Sequence, residues 1–498
     1  MPTSSITASM LYNLTSCEHR LYLDTFGDQA QRAQPNAFIQ LLWEKGTLFE
    51  KEVMAALETP FLDLSHYHGD EKESRTRKAM AEGEPLIYSG RLSVDALIGE
   101  PDLLRKEEHG YVAGDIKSGS AEEGEDEHAK LKKSYAVQLG LYTDILERLH
   151  VSSGRWGFIW DIHGKEVRYD FSLAQGSRTP QTWWELYEAY QGRAQEILQR
   201  KQLTQAAYNS GICKLCHWYQ PCLLDLQRTS DLTLLPELGR AKRDALNAHF
   251  STIQGFASAD LHRLTQGKKS TIPGMGLSTL QKLHARAQLI AAGDEARPYL
   301  RQAVDLPTHD SELFFDIEVD PLRDHSYLHG FIERQQQRNA SEQFVAFFAD
   351  QPTPKAERDA FAQSMAYLDQ HQDSKIYYYS KYERTIYRKL QTKYPEVCSA
   401  EDIEALFHPE RAIDLYFDVV LKATEWPTRD YSIKSLAKYL GFIWRDTHPS
   451  GAASIEWFHR WVESGDQDIK QRILDYNEDD CRATRVLLDG IRRLPLHS

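Results

Sequence analysis

The chain has 498 residues, of which 41% are hydrophobic and 27% are charged, and its formal net charge is −14. That length exceeds one ordinary domain, so we expect two or three soluble domains. Six cysteines are too few for a disulfide framework in so long a chain, and the negative charge argues against a protein that simply coats nucleic acid. No apolar run reaches membrane-spanning length and no signal peptide is recognisable, so we expect a cytoplasmic protein with no membrane partner.

Residues 1–225 alternate between helical and strand-like patterns, which predicts a first α/β domain. A helix with apolar residues at helical spacing is predicted around Glu50. Short strands separated by turn residues are predicted over 85–117, followed by an acidic loop over 118–132. The helical pattern then returns over 134–149.

Three charged residues on the predicted strands form a candidate metal site. Asp115 and Lys117 are two residues apart, so strand alternation puts both on one face, and Asp102 lies across a turn. Two carboxylates at one point can hold a divalent metal ion that activates water, and a lysine beside them can stabilise a developing anion. An isolated Asp-x-Lys is more often a surface ion pair, but the apolar run before it and the Pro101–Asp102 dipeptide favour the site.

The segments GEPDLL, GDIKSG and AVQLGLYTDIL, in that order, resemble the RecB-like branch of the PD-(D/E)XK nucleases. The resemblance implies a restriction-endonuclease-like α/β fold and a catalytic core of two aspartates and a lysine, with Mg²⁺ or Mn²⁺ on the aspartates. It also implies a supporting Gln and Tyr on a helix, and a Glu where the family usually has His. These residues are Asp102, Asp115, Lys117, Gln138, Tyr142 and Glu50.

Four of the cysteines are spaced as one early ligand, Cys17, and three late ligands, Cys213, Cys216 and Cys222, in GICKLCHWYQPC. Thiolates are soft ligands that suit iron–sulphur clusters or zinc. The arrangement matches the iron–sulphur subgroup of the same family, which implies a [4Fe-4S] cluster that ties the two ends of the domain together. Zinc is the alternative, with His217 as a spare ligand, although zinc knuckles more often have paired C-x2-C units.

A helical connector is predicted over 230–300. TIPGMGLSTLQKLHARA, with Pro-Gly-x-Gly between two helical stretches, looks like a helix-hairpin-helix element, whose backbone N–H groups can hold a nucleic-acid phosphate. Residues 232–300 contain nine Lys or Arg and five Asp or Glu, which is locally basic. The alternative is an αα-hairpin that serves only packing. The residues expected nearest the phosphates are Lys268, Lys269, Gly274 and Gly276.

Residues 305–498 are predicted to form a second α/β domain with its own acidic site. In ELFFDIEV, Asp316 and Glu318 lie on one face of an otherwise apolar strand. A buried strand hosts two acidic side chains only at a large cost unless a cation or hydrogen bonds compensate. In the last predicted helix, DYNEDDCRATRVLL, Tyr476 and Asp480 share a helical face.

This order resembles the DEDD exonucleases of the RNase H-like fold, in the variant that has a tyrosine in its third motif. The second motif normally supplies an Asp at the start of a helix, and the closest match is Glu383, with Asp414 as the other candidate. The resemblance implies two divalent metal ions on Asp316, Glu318 and Asp480. The ions would clamp the scissile phosphate while the tyrosine orients the attacking water.

Together the two resemblances predict a multidomain α/β nuclease with two separate metal-dependent active sites. The domain order resembles a bacterial family of predicted RecB-like nucleases, which implies DNA, in preference to RNA, as the substrate in repair, recombination or defence. The sequence contains no Walker A motif, so any helicase or repair protein would be a separate partner. The alternatives are a nucleic-acid-binding scaffold with one active site and a zinc-stapled protein that acts on small nucleotides.

Overall fold

The computed structural model describes residues 5–123, 130–176, 180–200 and 203–497, so the middle of the predicted acidic loop, residues 124–129, lies outside the described residues. The chain divides into two compact units. The first comprises Met1–Ala206 and Ile212–Pro221, and the second comprises Ala207–Gly211 and Cys222–Ser498. Within the described residues, none of the helices has the length and apolar character needed to cross a bilayer.

The first unit is built from helices around a mixed sheet. Its helices are α1 Ala8–Leu14, α2 Glu18–Phe26, α3 Ala37–Ala56, α4 Gly69–Glu82, α5 Lys133–Arg148 and α6 Trp183–Leu198. Its strands are β1 Ile6–Thr7, β2 Leu62–Asp63, β3 Leu86–Tyr88, β4 Leu92–Val94, β5 Leu97–Gly99, β6 Leu103–Glu107, β7 Gly110–Ile116, β8 Glu122–Glu123, β9 Lys130–Leu131, β10 Trp156–Trp160, β11 Glu166–Asp170, β12 Ala174–Gln175 and β13 Gln181–Thr182. The predicted helices around Glu50 and over 134–149 and the predicted strands before Lys117 are confirmed.

The main sheet of the first unit has the strand order β11-β10-β7-β6-β3-β2. Strand β7 is central, antiparallel to β6 and parallel to β10, and its residues from Tyr111 to Ile116 are all buried. Gly114 has no side chain because a Cβ there would overlap the ring of Phe158 on the neighbouring strand. Buried apolar residues of α5, such as Leu139 and Ile145, complete the core. Of the candidate residues of this unit, Asp115 therefore stands on the buried central strand, and Lys117 follows directly after it.

The second unit contains a longer series of elements, and α7 and α8 lie where the chain passes between the units. The helices are α7 Ser210–Cys213, α8 Tyr219–Arg228, α9 Gly239–Leu246, α10 Ile253–Ala257, α11 Leu277–Ala291, α12 Pro354–Gln370, α13 Tyr382–Lys393, α14 Ala400–Leu406, α15 Leu421–Ala423, α16 Ile433–Tyr439, α17 Gly451–Ser464 and α18 Gln467–Ile491. The strands are β14 Thr265–Gln266, β15 Lys269–Ser270, β16 Tyr299–Leu300, β17 Ser311–Asp320, β18 His325–Gln335, β19 Gln343–Phe348, β20 Lys375–Tyr378, β21 Ala412–Asp414 and β22 Thr424–Glu425.

The principal sheet of the second unit has the order β19-β18-β17-β20-β21. The pairs β19–β18 and β18–β17 are antiparallel, whereas β17–β20 and β20–β21 are parallel. Residues of β17 alternate between the two faces, so Phe315 packs in one core with Phe331 and Tyr387, and Phe314 packs in another with Leu487 of α18. The same alternation places Asp316 and Glu318 on the face that meets α18.

The connector differs from its sequence prediction just before Gly274. A two-stranded hairpin, β14–β15, precedes the Pro-Gly-x-Gly turn where a helical stretch was predicted, so that part of the prediction is wrong. The hairpin forms because Gly267 supplies the left-handed turn conformation, with φ of 60°. Gly274 is also left-handed, at 68°, and Gly276 is the N-cap of α11.

Candidate functional site

In the first unit, Asp102 and Asp115 are held together by the antiparallel pairing of β6 with β7. The backbone N–H of Ile116 donates to Oδ2 of Asp102 at 2.8 Å, and the backbone N–H of Asp102 donates to Oδ1 of Asp115 at 3.2 Å. Each carboxylate is therefore oriented by the backbone of the other strand. These two hydrogen bonds fix the two carboxyl groups side by side.

Lys117 follows β7 and places one positive charge against this pair of aspartates. Its Nζ lies 2.9 Å from Oδ2 of Asp115, whose side chain is 1% exposed. This contact is a close ion pair between the ammonium group and a buried carboxylate. Burial, followed by the charge of Asp115, raises the pKa of Asp102 well above its usual value. The aspartates thus lack full charge compensation, which fits a site for a divalent cation.

The other predicted residues of the first unit lie around the two aspartates. Tyr88 donates its hydroxyl to Oε1 of Glu50 at 2.7 Å, and the charge of Glu50 contributes to the raised pKa of Asp102. Nε2 of Gln138 donates to the hydroxyl of Tyr142 at 3.1 Å. Burial, then the charges of the two aspartates, raises the pKa of Tyr142. The structure therefore brings the six predicted residues to one region, and it adds Tyr88, which no motif indicated.

No four-cysteine cluster is evident among the described residues. Cys17 is the residue before α2, and burial, together with the neighbouring Cys17 thiol, raises the pKa of Cys216. Thiolates around one tetrahedral zinc ion lie about 3.8 Å apart, as Zn–S bonds of about 2.3 Å require. Within the described ranges, no three cysteine sulphurs come within 4.8 Å of one another. His217, the spare zinc ligand, has its Nε2 2.7 Å from Oδ1 of Asp24.

In the second unit, three acidic side chains from two elements meet. Asp316 and Glu318 stand on β17 and Asp480 stands on α18, and one ligand atom from each lies within 4.8 Å of the others. Among the described residues this is the group of His, Cys, Asp and Glu side chains that is spaced to share an ion. Glu318 and Asp480 are each 6% exposed.

The acidic group is poorly compensated by the protein itself. Burial, followed by the charge of Asp480, raises the pKa of Asp316 well above its usual value and that of Glu318 to about 8. Lys434 lowers both pKa values, but it does not cancel the rise. Hard divalent cations bind carboxylate oxygens, and a crowded, buried group of carboxylates supplies such ligands.

Tyr476 lies one helical turn before Asp480 on α18 and is 2% exposed. Nζ of Lys434 donates to the Tyr476 hydroxyl at 2.8 Å and lies 3.1 Å from Oδ2 of Asp480. Burial, then the charge of Asp480, raises the pKa of Tyr476, so its hydroxyl keeps its proton at neutral pH. The hydroxyl is thus fixed as an acceptor from Lys434 and retains its own hydrogen for donation.

Glu383 and Asp414, the two candidates for the second motif, differ in what surrounds them. Glu383 is in the first turn of α13, and burial raises its pKa to about 8. Its charge also raises the pKa of Asp316, and its Oε2 has no hydrogen-bond partner among the described residues. Asp414 instead accepts three backbone N–H groups at 2.9 to 3.1 Å, where it caps the π-helical turn Leu415–Val420.

Three residues of this site were missed by the sequence reasoning. Asn477 donates from Nδ2 to Oδ2 of Asp316 at 2.7 Å, and Trp444 donates from Nε1 to Oδ1 of Asp480 at 2.7 Å. Asn477 lies three residues before Asp480, so helical spacing alone could have indicated it. Trp444 and Lys434 come from a different segment, and no spacing in the sequence links them to the acidic motifs.

The predicted nucleic-acid contacts of the connector lie on one short segment. Lys268 and Lys269 are exposed at the β14–β15 turn, and Gly274 is exposed in the next loop. Gly276 directly precedes α11, whose first backbone N–H groups face away from the helix body.

Comparison with known protein families supports this division into two nuclease-like parts. Residues 18–222 match the PD-(D/E)XK nuclease superfamily, and residues 313–491 match the RNase_H superfamily. A search of curated proteins gave no match. The two matches contain the two acidic sites described above, one in each compact unit. The chain is therefore a multidomain α/β protein that carries a PD-(D/E)XK nuclease superfamily domain and an RNase H-like domain.

Proposed function

We propose that this protein is a metal-dependent nuclease that hydrolyses phosphodiester bonds at two separate active sites. The observation that carries the proposal is the acidic group Asp316, Glu318 and Asp480, drawn from a strand and a helix to within 4.8 Å inside a domain of the RNase_H superfamily. A buried and only partly compensated acidic group of this kind destabilises the fold unless it binds a cation. A functional site is therefore the most direct reason for its presence.

At the second site, the chain supplies the ligands and the group that orients water. Asp316, Glu318 and Asp480 would hold Mg²⁺ or Mn²⁺, and Glu383 is the residue we propose for the second motif. The bound ion would activate water and neutralise charge on the phosphate. The Tyr476 hydroxyl, held by Lys434, would donate its hydrogen to the attacking water. This assignment corresponds to a 3′–5′ exonuclease.

At the first site, Asp102 and Asp115 would hold the ion, with Glu50 beside them. Burial opposes the charge of Lys117, but the two aspartates outweigh burial and keep the pKa of its ammonium above the usual value. Lys117 therefore stays positive at neutral pH and can stabilise the charge that develops on the phosphate. Gln138 donates to Tyr142, and the charges of both aspartates act on the Tyr142 hydroxyl. We therefore propose that these two residues position substrate or water there.

The decisive experiment is metal-dependent digestion of end-labelled DNA and RNA, single-stranded and double-stranded. We expect Asp316→Asn to abolish stepwise 3′-end degradation and to spare cleavage that depends on Asp115, and Asp115→Asn to do the reverse. Asp373→Asn, at an exposed aspartate of the second unit, is the matched control. If Asp316→Asn leaves the 3′ ladder unchanged, the RNase H-like domain is a binding scaffold. Activity on DNA that exceeds activity on RNA would support the proposed substrate.

We also propose a [4Fe-4S] cluster on Cys17, Cys213, Cys216 and Cys222. Thiolates are soft ligands that suit such a cluster, and the Cys17 and Cys216 thiols are close enough to interact. His217, the spare ligand for the zinc alternative, is instead paired with Asp24. Protein purified without oxygen should be brown and should contain iron. Stoichiometric zinc without iron in that preparation would contradict the proposal.

A further inference from the structure

Lys434 places an ammonium group inside the acidic site of the second unit. It is the second residue of α16, and its Nζ lies 2.8 Å from the Tyr476 hydroxyl and 3.1 and 3.4 Å from the two carboxylate oxygens of Asp480. The ring of Tyr476 lies 4.9 Å from the same nitrogen, and the ring of Trp444 lies 5.9 Å away. The lysine is therefore held from several sides at the position where the strand and helix carboxylates meet.

The hydrogen bonds to Asp480 limit what else this carboxylate can bind. A carboxylate offers about four lone-pair sites. At Oδ1, Asp480 accepts from Trp444 at 2.7 Å and from Lys434 at 3.4 Å, and at Oδ2 it accepts again from Lys434 at 3.1 Å. Three of the four sites are thus engaged by the protein, which leaves room for one ion on Asp480 but not for an ion on each oxygen.

The carboxylate of Asp316 also has one oxygen engaged by a protein donor. Its Oδ2 accepts from Nδ2 of Asn477 at 2.7 Å, and Asn477 is fully buried. Two fixed donors, Asn477 and Trp444, therefore each occupy one oxygen of a different aspartate. Asp316, Glu318 and Asp480 each still offer one ligand atom, and these three atoms lie within 4.8 Å of one another.

We propose that Lys434 is a built-in cation of this site, which takes the place of one of the two divalent ions that the sequence resemblance implied. The carboxylates then hold a single divalent ion, and the ammonium supplies the second positive charge beside the phosphate while it fixes the Tyr476 hydroxyl. The inference rests on the proposed nuclease function of the site. A second divalent ion on Asp480 would stand close to the Lys434 ammonium group and would be repelled by it.

The test counts manganese ions, so that it does not depend on activity. All proteins carry Asp115→Asn to weaken metal binding at the first site, and Mn²⁺ binding is followed by calorimetry and electron paramagnetic resonance. We expect one magnetically isolated Mn²⁺ that is lost in Asp316→Asn. In Lys434→Met we expect a second Mn²⁺ and the spectrum of a coupled pair. Lys434→Arg should keep one ion, and so should Lys438→Met, which removes an exposed lysine one turn later on the same helix.

Two outcomes would overturn the inference, and both are distinct from failure of the proposed function. A coupled pair of ions in the protein that retains Lys434 would show that the lysine does not replace an ion. A single ion in Lys434→Met, with an unchanged turnover number, would show that Lys434 is only a structural counter-ion. At Mn²⁺ concentrations too low to load the second ion, we expect that variant to lose about a hundredfold in turnover, the typical cost of removing a positioned charge-stabilising group, and we expect a smaller loss in Lys434→Arg. Absence of any site-specific Mn²⁺ would contradict the proposed function itself.

Discussion

The substitution Gly330→Ala should disable the second site without touching a carboxylate. Gly330 lies on β18 directly opposite Asp316 on β17. A Cβ at this position would overlap Oδ1 of Asn477 and would lie 2.8 Å from its Cγ and 3.1 Å from Cε2 of Phe344. The asparagine would have to move, and with it the hydrogen bond from Nδ2 to Asp316.

The size of the effect follows from that hydrogen bond. A hydrogen bond to a charged group contributes about 1.5–3 kcal/mol. If the displaced Asn477 no longer orients Asp316 in the transition state, kcat/KM for 3′ degradation should fall roughly 10- to 150-fold. Overpacking should also cost about 1–3 kcal/mol of stability. Gly451→Ala is the matched control, because a Cβ there meets nothing within 4 Å.

A double-mutant cycle measures whether the glycine acts through the asparagine. Activity is followed on 3′-labelled strands in the Asp115→Asn background, with Gly330→Ala, Asn477→Ala and both together. Once Asn477 is truncated, the added methyl group has room, so the double variant should be no worse than Asn477→Ala alone. Losses that simply add would refute the reasoning, because Gly330 would then act independently of Asn477.

Two further predictions concern pH and salt. Because burial raises the pKa of Glu318 and Glu383 from 4.5 to about 8, the folded state holds protons that the unfolded state releases, so metal-free protein should lose stability as pH rises through that window. Thermal unfolding in EDTA and in Ca²⁺ should show that the ion stabilises more at about pH 8 than at about pH 5, and equal stabilisation would contradict this. Replacing Lys268 and Lys269 with Gln should reduce the slope of log K against log salt by about 1.8 for duplex DNA or about 1.4 for single strands. Lys438→Gln should leave that slope unchanged, and a slope unaltered by the paired replacement would exclude the connector contact.

The acidic residues of the second site could be predicted from the sequence because their spacing is local. Asp316 and Glu318 follow the two-residue period of a strand, and Tyr476 and Asp480 follow the four-residue spacing of a helix. Both periods also explain why the strands and helices that carry them were predicted correctly. That the acidic side chains of β17 and α18 meet at one point, in contrast, was predicted only from the family resemblance.

The groups that contact those acidic residues could not be predicted, because tertiary packing brings them to the site. Lys434 and Trp444 both donate hydrogen bonds to Asp480, from 46 and 36 residues earlier in the chain. Gly330 has a role only because Asn477 packs over it. The hairpin before Gly274 was missed for a local reason, since the turn at Gly267 breaks a stretch that otherwise resembles a helix.

The connector packs within the second unit through a buried ion pair. Arg286 on α11 and Glu425 on β22 are both fully buried, with Nε of the arginine 2.8 Å from Oε2 of the glutamate. Glu425 also accepts from the Tyr431 hydroxyl at 2.7 Å and lies 3.2 Å from Nε of Arg301. The sequence predicted a connector that ends at 300 and a domain that starts at 305. The buried ion pair joins a residue of that connector, Arg286, to a residue of that domain, Glu425.

Arg286→Met should therefore destabilise the whole second unit and not the connector alone. Removing one partner of a buried pair typically costs about 3–5 kcal/mol, and the remaining Arg301 contact favours the lower end of that range. Hydrogen exchange in the full chain should speed up in α11 and also in the central strands β17 and β18, because one cooperative unit opens together. Arg297→Met, at an exposed arginine of the same segment, should change neither. If exchange rises only in the connector while β17 and β18 stay protected, the connector unfolds separately from the RNase H-like sheet, and the buried pair does not couple the two.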